Sequence, residues 1–177
     1  MPHHPLRLSR QRGTTTVEFS LVAVALVALL TGSVEFGRYL YVWNAVQEVT
    51  RAAARLATVR SLDAASRDAI RHTAVFHEGE SVPTPLPGGI QLTSDQVQIR
   101  YLTQTLQAAD PLPAGALDNA AACLSADRAS SCVRFVEAKV CSDASTDCAP
   151  LQFSSFFGVQ MKIPPSTVIL PAEGLGQ

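Results

Sequence analysis

One uncharged run limits what this chain can become. From Phe19 to Val34 the residues are FSLVAVALVALLTGSV, with no charge and no proline. At 1.5 Å per residue these 16 residues make roughly 24 Å of helix, a little under a bilayer span of ~20 residues. Thr14 to Val17 before the run, and the aromatic residues beyond Glu35, make up the difference. Arg7, Arg10 and Arg12 precede the run with no acid among them, a bias that holds the N-terminus in the cytoplasm and sends the rest across. A secretory signal peptide is the first rival, but no A-x-A site closes the run and its apolar region is longer than usual. A buried core helix is the second, and the basic flank argues against it.

Glu18 stands at the head of this run, next to Phe19. A charged side chain costs roughly 2.5–3.5 kcal/mol at the centre of a membrane helix and less towards its edge, so something must offset it. If the chain is cut after Gly13, Thr14 becomes a new amino terminus and Glu18 lies one helical turn behind it. The carboxylate then faces a free amine, its own or a neighbour's. The plainer alternative is a glutamate complementing a helix N-terminus, worth about 0.3–1 kcal/mol.

Gly13, Glu18 and Phe19 together resemble the processing motif of type IV pilins. The continuation EFGRYLYVWNAVQEVTRAAARLA, Glu35 to Ala57, resembles the TadE-like pseudopilins of tight-adherence (Flp-type) pilus systems. Members of that family typically read G-x-x-x-x-E-F, an apolar span, E-F-G-R and then a helix rich in alanine and arginine. The tail from Met161 to Gly176 is similar to the C-terminal end of some members. The resemblance implies an α+β protein: a long N-terminal transmembrane and amphipathic helix packed on a small antiparallel-sheet head, a pilin-like lollipop. It implies cutting by a prepilin peptidase between Gly13 and Thr14, methylation of the Thr14 amine, and pairing of Glu18 with the amine of an adjacent subunit during assembly. Its implied partners are that peptidase, a second pseudopilin, the major Flp-type pilin, the inner-membrane assembly platform and membrane lipid. The implied location is the bacterial inner membrane, single-pass, with the N-terminus cytoplasmic and the head periplasmic. Such a chain is the substrate of an enzyme and not itself an enzyme. The rival reading is a single-pass periplasmic accessory or binding module that is never processed; a secreted enzyme behind a signal peptide is a third.

The expected organisation is a basic leader over 1–13, a transmembrane helix over 14–35, an amphipathic stalk over 36–61 and an extracytoplasmic head over 62–177. Phe19, Leu26, Leu30 and Val34 mark the span, and Glu35, Phe36, Gly37 and Arg38 the membrane-proximal turn. No proline occurs between Pro5 and Pro83, as one long helix requires. Phe36, Tyr39, Leu40, Trp43, Val46, Ala53 and Leu56 recur at helical spacing and predict a stripe that packs on the head. Phe36, Tyr39, Tyr41 and Trp43 sit where an interfacial aromatic belt belongs. Glu35 with Arg38, and Glu48 with Arg51, are spaced to pair along a helix. Ala28 and Gly32 form a small-xxx-small pair that permits close helix contact.

Ser61 to Phe76 reads as a second helix capped by Asp63 or as a continuation of the stalk, and Glu78 to Gly89 as a proline- and glycine-rich linker. Strand alternation appears at Val97, Ile99 and Tyr101, at Val136, Ala138 and Val140, and at Val159, Met161 and Ile163. Ala114 to Ala129 holds a short helix. The head is therefore expected to carry three or four antiparallel strands.

The four cysteines, Cys123, Cys132, Cys141 and Cys148, lack the C-x-x-C spacing of a zinc site. Outside the cytoplasm they read as two disulfides with three possible pairings, of which Cys123 with Cys132 and Cys141 with Cys148 are favoured. His72, His77, Glu78 and Glu80 do not follow H-E-x-x-H and read as loop residues. Ser154 and Ser155 lack a nucleophile elbow, and Gly88-Gly89 opens no helix. No catalytic residue, metal ligand or cofactor is expected. A net charge of −1 gives no broad electrostatic footprint for nucleic acid.

Overall fold

The computed structural model describes residues 14–75, 84–85, 91–142, 148–172 and 174–175. The chain divides into two compact units, Met1–Gly37 and Arg38–Gln177. Helix α1, Thr14–Val59, passes without interruption from one into the other.

The first unit contributes the opening turns of α1. Its best 18-residue window has a mean hydropathy of 2.1 and is 0% buried. Its hydroxyls are satisfied within the helix: Ser20, Thr31 and Ser33 donate to the carbonyls of Val17, Val27 and Leu29, each at 2.8 Å. Hydroxyls bonded back to helix carbonyls suit a hydrocarbon environment.

The second unit is an α+β head built on the rest of α1. Val42, Val46, Val49, Ala53, Ala54 and Ala57 are buried there, and the Thr50 hydroxyl, also buried, returns to the Val46 carbonyl at 2.8 Å. Val46 and Ala53 of the expected stripe are buried, and the rest of the packed stripe is rotated from the expected one. Val42, Val49 and Ala57 lie at its centre, Tyr39, Trp43 and Leu56 flank it, and Phe36 is exposed. The fully buried positions of the helix are valine, alanine and threonine, and the larger Tyr39, Trp43 and Leu56 pack against the edge of that core. The aromatic belt divides in the same way. Tyr39 stacks edge-on against Phe153 with ring centroids 5.7 Å apart, and its hydroxyl donates to the Lys162 carbonyl at 3.3 Å. Trp43 is half-buried beside it, whereas Tyr41 is exposed.

Helix α2, Ala64–Ala74, begins where expected. Asp63 is its N-cap and accepts from the Ser66 amide, and Ile70 and Ala74 are its buried residues. Serine hydrogen bonds hold the Asp63 carboxyl below its ordinary value. The expected linker lies mostly outside the described residues; within it β1, Thr84–Pro85, pairs with β2, Gln91–Leu92. Phe76 is also outside them.

The main sheet contains β3, Val97–Leu102, β4, Phe135–Val140, and β7, Ser166–Pro171, all antiparallel in the order β3-β4-β7. Register puts the apolar sets on one face. Ile99 faces Ala138, which faces Val168; Tyr101 faces Val136, which faces Leu170. The other face carries Arg100, Glu137 and Lys139, with Lys139 and Glu137 paired at 3.0 Å. Helix α3, Ala116–Leu124, lies between β3 and β4 in sequence, and a 3-10 turn over Ala126–Ser131 follows it. Strands β5, Leu151–Ser154, and β6, Gln160–Ile163, form a separate hairpin between β4 and β7 in sequence. Its inward residues, Leu151, Phe153 and Ile163, join the core that α1 also enters.

Candidate assembly segment and its anchoring head

The residues expected to carry function fall on α1. Thr14 is the first helical residue, and Glu18 follows it by one turn on the exposed helix. Gly13 and the leader lie outside the described residues. Phe19, Leu26, Leu30 and Val34 are each more than half exposed, the largest value being 75% at Phe19. A row of large apolar side chains left uncovered by the described residues calls for lipid or other helices. Added Cβ atoms at Gly32 and Gly37 would meet nothing within 4 Å, so the small side of the helix is open.

At the next turn the surroundings change. Glu35 is buried, with 6% exposure, while Phe36 remains exposed. The guanidinium of Arg38 lies over two rings of the β5–β6 hairpin, 5.3 Å from the Phe153 centroid and 4.0 Å from that of Phe156. Arg38 therefore stacks on aromatic rings, a role the sequence reading did not foresee. Further along, Arg51 and Glu48 approach to 3.8 Å as expected, an exposed pair of small energetic weight.

Both disulfides join neighbours in the chain. Cys123–Cys132 has its Cα atoms 4.7 Å apart and Cys141–Cys148 has them 5.0 Å apart. The first works with Asn119, one turn earlier on α3. The Asn119 side chain accepts from the Val133 amide at 2.8 Å and donates to the Val133 carbonyl at 3.1 Å. One face of α3 is thus tied to the entry of β4 by a covalent bond and a reciprocal hydrogen-bonded pair. Asp118 closes the other side, accepting from the Ala114 amide and from Arg128, and these bonds hold its carboxyl below the ordinary value.

A cavity of about 710 Å³ lies beside this staple, lined by residues that include Thr103, Gln104, Gln107, Ser130 and Arg134. Alanines and the Cys123–Cys132 disulfide complete the lining, and none of its residues is a carboxylate or an imidazole. Among the described residues no group of three or more His, Cys, Asp or Glu is placed to hold a metal. His72 is half-buried on α2, and His77, Glu78 and Glu80 lie outside the described residues.

A membrane-length bare helix, an acid in its first turns and an alanine-rich packed continuation therefore lie on one element. Residues 13–55 match the family model described as TadE-like protein. The TadE-like segment begins at Gly13 and ends four residues before α1 does, so it takes in almost the whole helix and none of the sheet. No curated protein and no solved structure matches the chain.

Proposed function

We propose that this chain is a minor pseudopilin of a tight-adherence (Flp-type) pilus system. It inserts in the inner membrane with its N-terminus inside and its head in the periplasm. A prepilin peptidase cuts after Gly13, and the α1 helix then takes part in pilus biogenesis and adhesion. The observation that carries this reading is the coincidence on one helix of the TadE-like match and a stretch whose large apolar residues are bare. Glu18 supplies the charge for assembly. One turn behind a new Thr14 amine, it attracts the ammonium of an adjacent subunit, an attraction that strengthens as water is excluded. A buried pair is favourable only when both charges are satisfied, which selects one axial register between neighbouring helices. On this reading the partners are the peptidase, a second pseudopilin, the major Flp-type pilin and the assembly platform.

The test is the mature N-terminus. Intact mass and N-terminal sequencing of protein isolated from its native membrane should show loss of Met1 to Gly13, with Thr14 first. Gly13→Arg should leave the precursor uncut. A full-length mass in the wild-type protein would make the chain a permanently anchored accessory module instead.

A further inference from the structure

The turn joining β5 to β6 is built from residues that turn chemistry does not ask for. Its hydrogen bonds are made by its ends: the Ser155 amide donates to the Val159 carbonyl, and the Gly158 amide donates to the Ser155 carbonyl, both at 3.0 Å. The Val159 amide donates to the Ser155 hydroxyl, also at 3.0 Å. Gly158 takes a φ of 75°, the left-handed position that closes a three-residue hairpin loop. Ser155 and Gly158 therefore satisfy the turn, and the two corner positions between them are open to any residue, with polar ones usual. Here they are Phe156 and Phe157, 68% and 69% exposed, followed by Val159 at 57%. Neither phenylalanine enters the core.

The position of this turn along α1 identifies what covers it. Phe156 lies against Arg38 at 4.0 Å, and Arg38 follows Val34, the last residue of the uncharged run, by four positions. Continuing along β6 and beyond, the Lys162 carbonyl meets Tyr39, and Pro164 to Val168 share a cavity with Trp43, Gln47 and Arg51. The hairpin thus runs along the helix with its base toward the middle of α1 and its turn at the Arg38 end, where the helix leaves the apolar span. From Leu151 to Ala172 the only charged residue is Lys162, and no acid is present. Exposed phenylalanines beside an arginine, on a hairpin that itself carries no carboxylate, suit the boundary of a bilayer.

We propose that Phe156 and Phe157 form a second membrane contact, seated in the interfacial layer of the bilayer that α1 crosses. The proposal rests on reading α1 as a membrane anchor. The contact would fix the depth of the head and the side toward which the helix tilts, since a hairpin touching lipid on one side favours tilt in that direction.

The test uses the full chain reconstituted in phosphatidylcholine–phosphatidylglycerol vesicles, in a Trp43→Phe background that removes the one native tryptophan. Tryptophan is placed by Phe157→Trp at the turn, by Leu26→Trp in the span, or by Leu117→Trp on α3. The last is a water reference, because Leu117 is 89% exposed. Helix α3 also shares a cavity with Gly174, and a Cβ there would meet Thr58 at the far end of α1. The Phe157→Trp indole should emit to the blue of the Leu117→Trp indole. It should be quenched by lipid brominated in the upper acyl chain and shielded from aqueous iodide. Iodide quenching equal to that of Leu117→Trp would overturn the proposal by placing the turn in water. Shielding from both quenchers would overturn it in favour of a protein contact such as a second copy. Failure of bromolipid to quench Leu26→Trp would instead remove the anchor reading itself, a result separable from either.

Discussion

Helix α1 crosses two regions that share a hydrogen-bond ladder and differ in how side chains are used. From Thr14 to Gly37 the leucines, valines and phenylalanines are exposed. From Arg38 onward the fully buried residues are valine, alanine and a threonine whose hydroxyl is bonded back to the helix, with Tyr39, Trp43 and Leu56 packed beside them. The first region presents more apolar surface, yet the second is the one its own chain covers. Hydrophobicity does not by itself decide burial; the availability of a complementary surface does. Residues that meet a surface of matching shape are buried, and a row of large apolar side chains that meets none calls for a fluid or a partner shaped to fit.

That comparison is broken most severely by cavities. Phe153 is fully buried between the hairpin and α1, and Phe153→Ala should lower head stability by about 3–5 kcal/mol in denaturant melts. Leu26→Ala, removing a side chain of similar hydrophobic character from the bare region, should leave the same melt unchanged within about 0.5 kcal/mol. Equal effects would mean that the two regions form one cooperative core. A charge gives the reverse pattern. Leu26→Arg should oppose membrane insertion by about 2.5–3.5 kcal/mol, seen as loss from the membrane fraction, while the head retains its melting behaviour.

Smaller effects sharpen the description of the head. Asn119→Ala leaves the amide of Val133, itself 1% exposed, without its acceptor and should cost about 1–3 kcal/mol. A loss well below that range would mean the Cys123–Cys132 bond alone fixes α3. The smallest effect is a pH dependence. Burial pushes the Tyr101 phenol up from its ordinary value, with Arg67 pulling it the other way. The folded chain then keeps this proton at a pH where the unfolded chain has released it. Its contribution is complete below the ordinary tyrosine value and declines as pH rises through the raised one. Thermal melts of the oxidised protein should fall in alkali, and Tyr101→Phe should flatten that fall.

The sequence disclosed most where a pattern had one physical solution. An uncharged run behind arginines, a chain free of proline to Pro83 and an aspartate before AASRDAI specified α1 and α2 closely, including the Asp63 cap. Alternation found β3 and β4 because one of their faces is buried and the other charged. It missed β7, where Val168, Ile169 and Leu170 are consecutive, Pro165 precedes the strand and Pro171 ends it. Those prolines are tolerated because β7 is at the sheet edge. It missed β5 because four residues after a proline are too few to show a period. Short-loop disulfides were legible as a preference among three pairings, since nearby cysteines meet with little chain to close.

The sequence alone therefore determined the membrane-length helix, its TadE-like character and the α+β class, because each follows from local periodicity, charge placement or a motif. The tertiary structure decided which face of α1 the head occupies, that Tyr39 and Trp43 pack on the head, and that Phe156 lies against Arg38. Those contacts join residues more than a hundred positions apart. No pattern within a short window can specify them; they depend on how the sheet and hairpin pack against the helix.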